Sequence, residues 1–239
     1  MVDSWHTEIS DLHETLERLQ IERLRLIGLL EEHLSPDLVA EILDGTQRLT
    51  LGGARQTVAV LFCDLRGFTR FTASEDPGVV VQHLNQFFHT MTTVLFAHQA
   101  TVDKFIGDAI LAYFKAGADG PAGAARLAAH AASEMQERFS GLRDRWQLVG
   151  DLGLGIGLSL GEVILGHVGS GKHVDFTVVG TPVNLASRLC ALASSGEILA
   201  SAPFVKALDS PQGWSPLPPL TIKGFDETIQ AYTSRRPEQ

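Results

Sequence analysis

Asp64 and Asp108 are the residues of this chain hardest to explain as packing. Asp64 closes the apolar run TVAVLFCDL (57–65), where a carboxylate has no packing role. Asp108 follows Gly107 between the short β-like runs TVDKFI and AILAYF, and on its own it reads first as a turn former in a tight hairpin. Two carboxylates at the ends of neighbouring strands suit a hard cation, because Mg²⁺ takes a few carboxylates and completes its shell with water and substrate phosphates. Asn184 and Arg188 lie four residues apart and share a face of the helix that opens at Thr181-Pro182. A helix start favours anions, and an arginine grips phosphate with two parallel hydrogen bonds, although a solvated helix face is the ordinary alternative. Lys104 sits inside an apolar run, where either a bound partner or snorkelling from a sheet edge explains it.

One near-motif fails. The segment GHVGSGKH (166–173) approaches a phosphate-binding loop, but it carries His173 where a metal-binding hydroxyl belongs. It also lies between two strand-like segments instead of leading into a helix, and so reads as a glycine-rich hairpin. The nine histidines show no metal-ligand spacing.

The elements that must position these residues follow from periodicity. Residues 7–34 predict one helix, with Ile9, Leu12, Leu16, Leu19, Leu26 and Leu30 at steps of three and four and Arg23 in the skipped position. Such a seam of roughly three heptads serves either packing on the chain's own domain or a coiled coil; charges crowding the other faces favour a partner helix. Ser35-Pro36 breaks it and starts a second short helix that Gly45 stops, and 46–56 reads as a linker. From Thr57 the order is strand, a turn-rich segment (67–78), a helix, a hairpin, an alanine-rich helix from Pro121 to Trp146, and glycine-broken β structure. A helix over 183–193 follows, then short strands GEILAS, PLTIKGF and TIQAYTS. This β-α-β-β-α-β order predicts an α+β, ferredoxin-like domain with a mainly antiparallel central sheet flanked by helices. The expected divisions are an N-terminal signalling helix (1–34), a short helix and linker (35–56), and a catalytic domain (57–235).

Composition narrows the function. The chain has 239 residues, 44% of them hydrophobic, which is enough for one sizeable core. A net charge of −9 argues against broad nucleic-acid binding, which needs a basic face. Neither a membrane-spanning apolar run nor a secretory leader is visible. Cys63 and Cys190 form no CxxC pair, and a reducing cytoplasm fits best.

Taken together, LFCDLRGFT (61–69), VDKFIGDAILAYF (102–114), HVDFTVVGTPVNLASRL (173–189) and IKGF (222–225) resemble the class III nucleotidyl cyclases, in the family's order and spacing. The resemblance implies a cyclase fold, two Mg²⁺ or Mn²⁺ ions per site, and metal ligation by Asp64, Asp108 and the backbone carbonyl of Leu65. It implies that Lys104 and Thr177 read adenine, Asn184 positions the ribose, Arg188 stabilises transition-state charge and Lys223 grips the terminal phosphates. Guanylyl cyclases place an acidic residue at the position of Lys104, so a lysine there implies ATP as substrate and cyclic AMP as product. Thr177 departs from the commoner aspartate and is similar to the bicarbonate-responsive bacterial subgroup, which implies bicarbonate as a regulator. The family shares each site between two chains, implying a homodimer, and the N-terminal helix implies an upstream sensor domain. Guanylyl cyclase activity and a non-catalytic dimeric nucleotide sensor are the alternatives; the turn FIGDAI lacks a diguanylate cyclase signature.

Overall fold

In the computed structural model, residues 2–31, 39, 43, 52–146, 152–170 and 173–235 are described. The chain forms two compact units, Met1–Leu49 and Thr50–Gln239. In the first, helix α1 runs over Val2–Glu31, starting before the predicted boundary. Leu12, Leu16, Leu19 and Leu26 of the heptad seam are all exposed in the single chain. The short helix expected at 35–45 lies outside the described residues except at Val39 and Leu43.

The second unit contains strands β1 (Gly52–Arg66), β2 (Thr101–Ile106), β3 (Ala109–Lys115), β4 (Gly153–Ser170), β5 (His173–Val179), β6 (Glu197–Ser201), β7 (Ser215–Pro216) and β8 (Ala231–Arg235). Its helices are α2 (Phe68–Ser74), α3 (Pro77–Ala97), α4 (Gly120–Trp146), α5 (Thr181–Leu192) and α6 (Ala202–Ala207). Among the described residues the strands form one sheet in the order β2-β3-β1-β4-β6-β8-β7, with β5 paired to the far end of β4. All pairings are antiparallel except β4 with β6. The predicted α+β architecture is therefore present. No described helix is long and apolar enough to cross a membrane.

The continuous apolar run of β1 reflects burial on both faces. Ala59, Leu61, Cys63 and Leu65 point into a core with Phe87 and Met91 of α3 and the alanines of α4. Val58, Val60 and Phe62 point the other way, toward Ala186 and Cys190 of α5. Side chains alternate along a strand, so the next even-numbered residues, Asp64 and Arg66, emerge on the α5 face. The alanine bias of α4 has the same logic: Ala124, Ala125, Ala128, Ala131 and Ala132 are fully buried, letting its axis approach the sheet.

β4 corrects the expectation of glycine-broken structure. The strand is continuous, and Gly153, Gly155, Gly157 and Gly161 fall on one face while Leu154, Ile156, Leu158 and Leu160 fill the opposite core. A Cβ at Gly157 would lie 2.1 Å from the carbonyl oxygen of Ala186 and 2.3 Å from the amide of Cys190, and one at Gly161 would lie 2.7 Å from Pro182. Gly157 and Gly161 are the seat of α5.

Three other expectations change. The linker over 46–56 ends early, because Gly52–Gln56 already pair with Val163–His167 of β4. Gly53 permits this approach, since a Cβ there would meet the Leu165 oxygen at 2.6 Å. The turn-rich segment contains α2: Gly67 takes φ 78° ahead of it, Phe71 is buried, and Asp76 caps α3 by accepting from the Gly78 amide at 2.8 Å. PLTIKGF is not a strand; it contributes one isolated bridge, Leu220 with Ile229, and a turn in which Gly224 takes φ 92°. The helix α6, with Phe204 and Val205 buried, was not anticipated. GHVGSGKH, in contrast, forms the end of β4 and the start of β5, paired as far as Ser170 with His173.

The glycine seat is testable. Gly157→Ala should lower unfolding stability by about 1–3 kcal/mol in urea denaturation followed by circular dichroism, through steric displacement of α5. Gly117→Ala, where an added Cβ meets nothing within 4 Å, should be close to neutral. Equal stability of the two variants would refute close packing at Gly157.

Candidate active site

The two aspartates meet. Asp64 lies at the end of β1 opposite Gly155, and Asp108 lies in the β2–β3 turn, where Ile106 pairs with Ala109. Burial raises the Asp108 carboxyl, and the charge of Asp64 and a hydrogen bond shared with it push it further, to about 6. Two half-buried carboxylates that cannot comfortably ionise together form a site short of positive charge. Among the described residues no group of three or more His, Cys, Asp or Glu side chains could hold a metal. The pair therefore fits a hard cation that draws its remaining ligands from phosphate oxygens and water, and does not fit a dedicated protein cage. Leu65, named as a backbone ligand, continues β1 with its side chain buried.

Arg66 anchors this pair. Its Nη1 lies 2.6 Å from Asp64 Oδ2, its Nε donates to the Ala193 carbonyl at 2.8 Å, and its Nη2 donates to the Cys190 carbonyl. Those carbonyls lie at the C-terminal end of α5, where the helix dipole also favours a cation. Asp64 is thus tied through one guanidinium to the end of the helix that carries Asn184 and Arg188.

A second cluster forms where β2 faces β5. The β2–β3 register shifts between Val102 and Lys104, so Asp103 is the extra residue of a bulge. Its side chain is only 1% exposed. Thr177 Oγ1 donates to both Asp103 oxygens, at 3.0 and 2.8 Å, and the Val178 amide donates to Oδ2 at 3.0 Å. Lys104 Nζ lies 3.4 Å from Asp103 Oδ1 and donates to Asp175 Oδ2 at 3.0 Å. Burial raises the Asp103 carboxyl above its ordinary value, although Thr177, Val178 and Lys104 all act against the rise. Burial also disfavours the Lys104 ammonium, but Asp175 and Asp103 outweigh it and hold that group above its ordinary value. Lys104 and Thr177 are therefore brought together through an aspartate that sequence reasoning did not single out.

Asn184 and Arg188 are exposed on one face of α5, opposite the buried Leu185, Ala186, Leu189 and Cys190. Among the described residues neither makes an ion pair or side-chain hydrogen bond within the chain. Lys223 is exposed in the turn after Leu220, next to buried Ile222. No described side-chain hydrogen bond joins the Asp64–Asp108 pair to the Lys104–Thr177 cluster. Asp103, Asp175 and Arg66 were missed; a buried-length carboxylate inside TVDKFI and an arginine two residues after Asp64 on the same strand face were the available signals.

The sequence model of the adenylate and guanylate cyclase catalytic domain matches residues 53–233. Two curated relatives from Mycobacterium tuberculosis are similar: "Uncharacterized protein Rv1318c", 35% identical over 87% of this chain, and "Uncharacterized protein Rv1320c", 33% identical over 94%. The chain spans 38% and 39% of their respective lengths. Among solved structures, the adenylyl cyclase CyaB from P. aeruginosa is 26% identical with a TM-score of 0.75, covering 79% of this chain and 98% of that one. The guanylyl cyclase Cya2 is 31% identical with a TM-score of 0.68, covering 78% and 96%.

The carboxylate pair makes a pH prediction for the metal-free protein. Asp108 holds its proton more tightly when folded, so the stability it contributes is present at low pH and lost as pH rises from 3.8 through about 6. Asp108→Asn should therefore stabilise the protein in EDTA at pH 7.5, by about 1 kcal/mol after discounting for the half-exposed, screened position. The gain should vanish near pH 4, and Mg²⁺ should stabilise the wild type but not the variant. Urea unfolding at the two pH values measures this; equal stability at pH 7.5 would mean the carboxylates do not repel.

Proposed function

The chain belongs to the adenylate and guanylate cyclase catalytic domain family, and from that premise we propose that it converts ATP to 3′,5′-cyclic AMP and pyrophosphate. The observation that carries the choice of ATP is the pairing of Lys104 Nζ with the Thr177 hydroxyl around Asp103. A lysine only donates, which suits a ring nitrogen acceptor on adenine, while a hydroxyl can accept from the 6-amino group. One observation favours GTP instead: Cya2, a guanylyl cyclase, is similar at 31% identity.

Asp64 and Asp108, with the Leu65 carbonyl, would hold two divalent cations, Mg²⁺ or Mn²⁺. Such ions supply an acidified ribose 3′-hydroxyl and neutralisation of the triphosphate. Asn184 orients the ribose so that the 3′-oxygen lies in line with the α-phosphorus and the leaving pyrophosphate. Arg188 meets charge developing on the α-phosphoryl oxygens, the kind of fixed electrostatic contact that contributes most when already oriented. Lys223 takes the terminal phosphates. The exposure of Asn184 and Arg188, and their lack of side-chain partners among the described residues, support this assignment, since both are available to a ligand.

The reading includes a homodimer with shared sites. Exposed apolar side chains flank both clusters: Phe105 and Ile106 lie between Lys104 and Asp108, and Val179, Ile164 and Val168 lie on the β4–β5 ribbon beside Thr177. Exposed apolar surface of this kind is more readily explained by a partner than by solvent. The exposed seam of α1 would pair two copies as a coiled coil and relay rotation from a sensor domain upstream. The catalytic unit would extend from the start of β1 to about 235. Thr177 makes bicarbonate the effector to add first.

The deciding experiment incubates purified protein with Mn²⁺ and either ATP or GTP, with cyclic and linear products resolved. Cyclic AMP from ATP, at a kcat/KM well above that for GTP, is expected. Preference for GTP would move the assignment to guanylyl cyclase, and no cyclic product from either would favour a nucleotide-sensing module. The shared site is tested by mixing Asp64→Ala with Arg188→Ala. Each alone should lose at least about 100-fold in kcat, and the mixture should regain activity through one intact site per mixed dimer. Silence under demonstrated heterodimerisation would eliminate it.

A further inference from the structure

Thr177 presents a chemical ambiguity that the rest of the cluster resolves. A hydroxyl carries one proton and two lone pairs, so it can greet an adenine amino group as acceptor or a guanine carbonyl as donor. A site that discriminates between the two bases must remove one of those options. From the arrangement around the β2 bulge we infer that Asp103 is a specificity-determining positioning residue, which commits the Thr177 proton and leaves the hydroxyl only its lone pairs for the base. This inference rests on the reading of the chain as an ATP cyclase and deepens it.

The geometry supports this in three ways. Asp103 is 1% exposed, so it acts on solvent or substrate only through the groups that touch it. Three donors converge on it: the Thr177 hydroxyl, the Val178 amide and the Lys104 ammonium. A carboxylate facing three donors is the acceptor in each contact, which fixes the direction of the Thr177 hydrogen bond. Donor counting completes the picture. An ammonium has three N–H bonds; in Lys104 one is directed at Asp175 and one toward Asp103, leaving a third for a ring acceptor. The cluster thus offers one free donor beside one free acceptor, the complement of the N1 acceptor and amino donor of adenine. Guanine presents the reverse order, a carbonyl beside an N–H, and would set its carbonyl against the Thr177 lone pairs.

The backbone explains why the residue can do this. Asp103 is the extra residue of the bulge in β2, and its carboxylate reaches β5, with which β2 shares no described ladder. One side chain therefore sets both the spacing of the two reading groups and the orientation of one of them.

The test is the ratio of kcat/KM for ATP to that for GTP in Asp103→Asn, with melting temperature measured alongside. The amide nitrogen of asparagine can donate to Thr177 Oγ1, freeing the hydroxyl proton for a guanine carbonyl. The ratio should fall at least about 10-fold, because selectivity here comes from an unpaired polar group in the wrong complex. In a Thr177→Val background the same Asp103→Asn change should alter the ratio far less, since only its contact with Lys104 is left to act through. Asp103→Ser, which removes the charge without adding bulk, carries the same expectation should the asparagine variant not fold. A wild type selective for ATP whose variants lose activity toward both nucleotides alike would overturn the role of Asp103 and leave the cyclase reading standing. A wild type that prefers GTP would overturn both.

Discussion

The close contact between α5 and the glycine face of β4 is the constraint on which the rest of this domain depends. A strand that alternates glycine with Leu or Ile satisfies two neighbours with opposite needs. The large residues fill the core beneath α3 and α4, while the glycines bring the backbone of α5 against the sheet, with Gly157 facing the Ala186 carbonyl and the Cys190 amide. That seat fixes the height and rotation of α5, and with them the exposed face bearing Asn184 and Arg188. It also sets its C-terminal carbonyls where Arg66 can reach them from the end of β1. Packing and chemistry meet in the same few backbone contacts.

The charged groups near the sheet follow one rule: each carboxylate that loses water gains a specific partner. Asp103 has three donors, and Asp64 has Arg66. Asp108 is the exception, with another carboxylate as its neighbour, and it is the group pushed to about 6. Repulsion left in place in an otherwise well-paired site suits the proposed cation, because removing an unfavourable interaction on binding adds to affinity in a way that breaking a favourable one does not. The charge shortfall is local, since the neighbouring guanidinium is occupied by α5 carbonyls as well as by Asp64.

Much of this was legible in the sequence, for identifiable reasons. The doubly buried β1 announced itself as an unbroken apolar run, and the β2–β3 hairpin as two short runs around Gly107-Asp108. Asp64 stood out because a carboxylate ending such a run has no packing role. What escaped depends on contacts remote in sequence. The β4 glycines looked like breaks because their partner, α5, is defined only by tertiary packing. The first residues of β1 looked like a linker because their only support is the far end of β4. α2 was hidden in polar, turn-forming residues whose burial rests on Phe71. Asp103 escaped because the inserted residue of a bulge cannot be read from alternation: strict period two would turn its side chain to the face opposite Lys104, whereas both groups converge on β5.

For the proposed site, that bulge also bears on how a threonine would suffice where a carboxylate would be the stronger acceptor. A carboxylate placed directly against the base would have to shed water at each binding event, at a cost that rises steeply in a closing site. In the proposed site the negative charge is set behind the threonine, buried and paired, and only a neutral hydroxyl would be offered to the ligand. The hydroxyl is polarised by the carboxylate it donates to, since hydrogen bonds in series strengthen one another. The desolvation cost would thereby be met once, in folding, by the three donors that hold Asp103, and not again each time a nucleotide entered. In that arrangement a buried carboxylate behind a threonine would act on the base at one remove, through the hydroxyl it polarises.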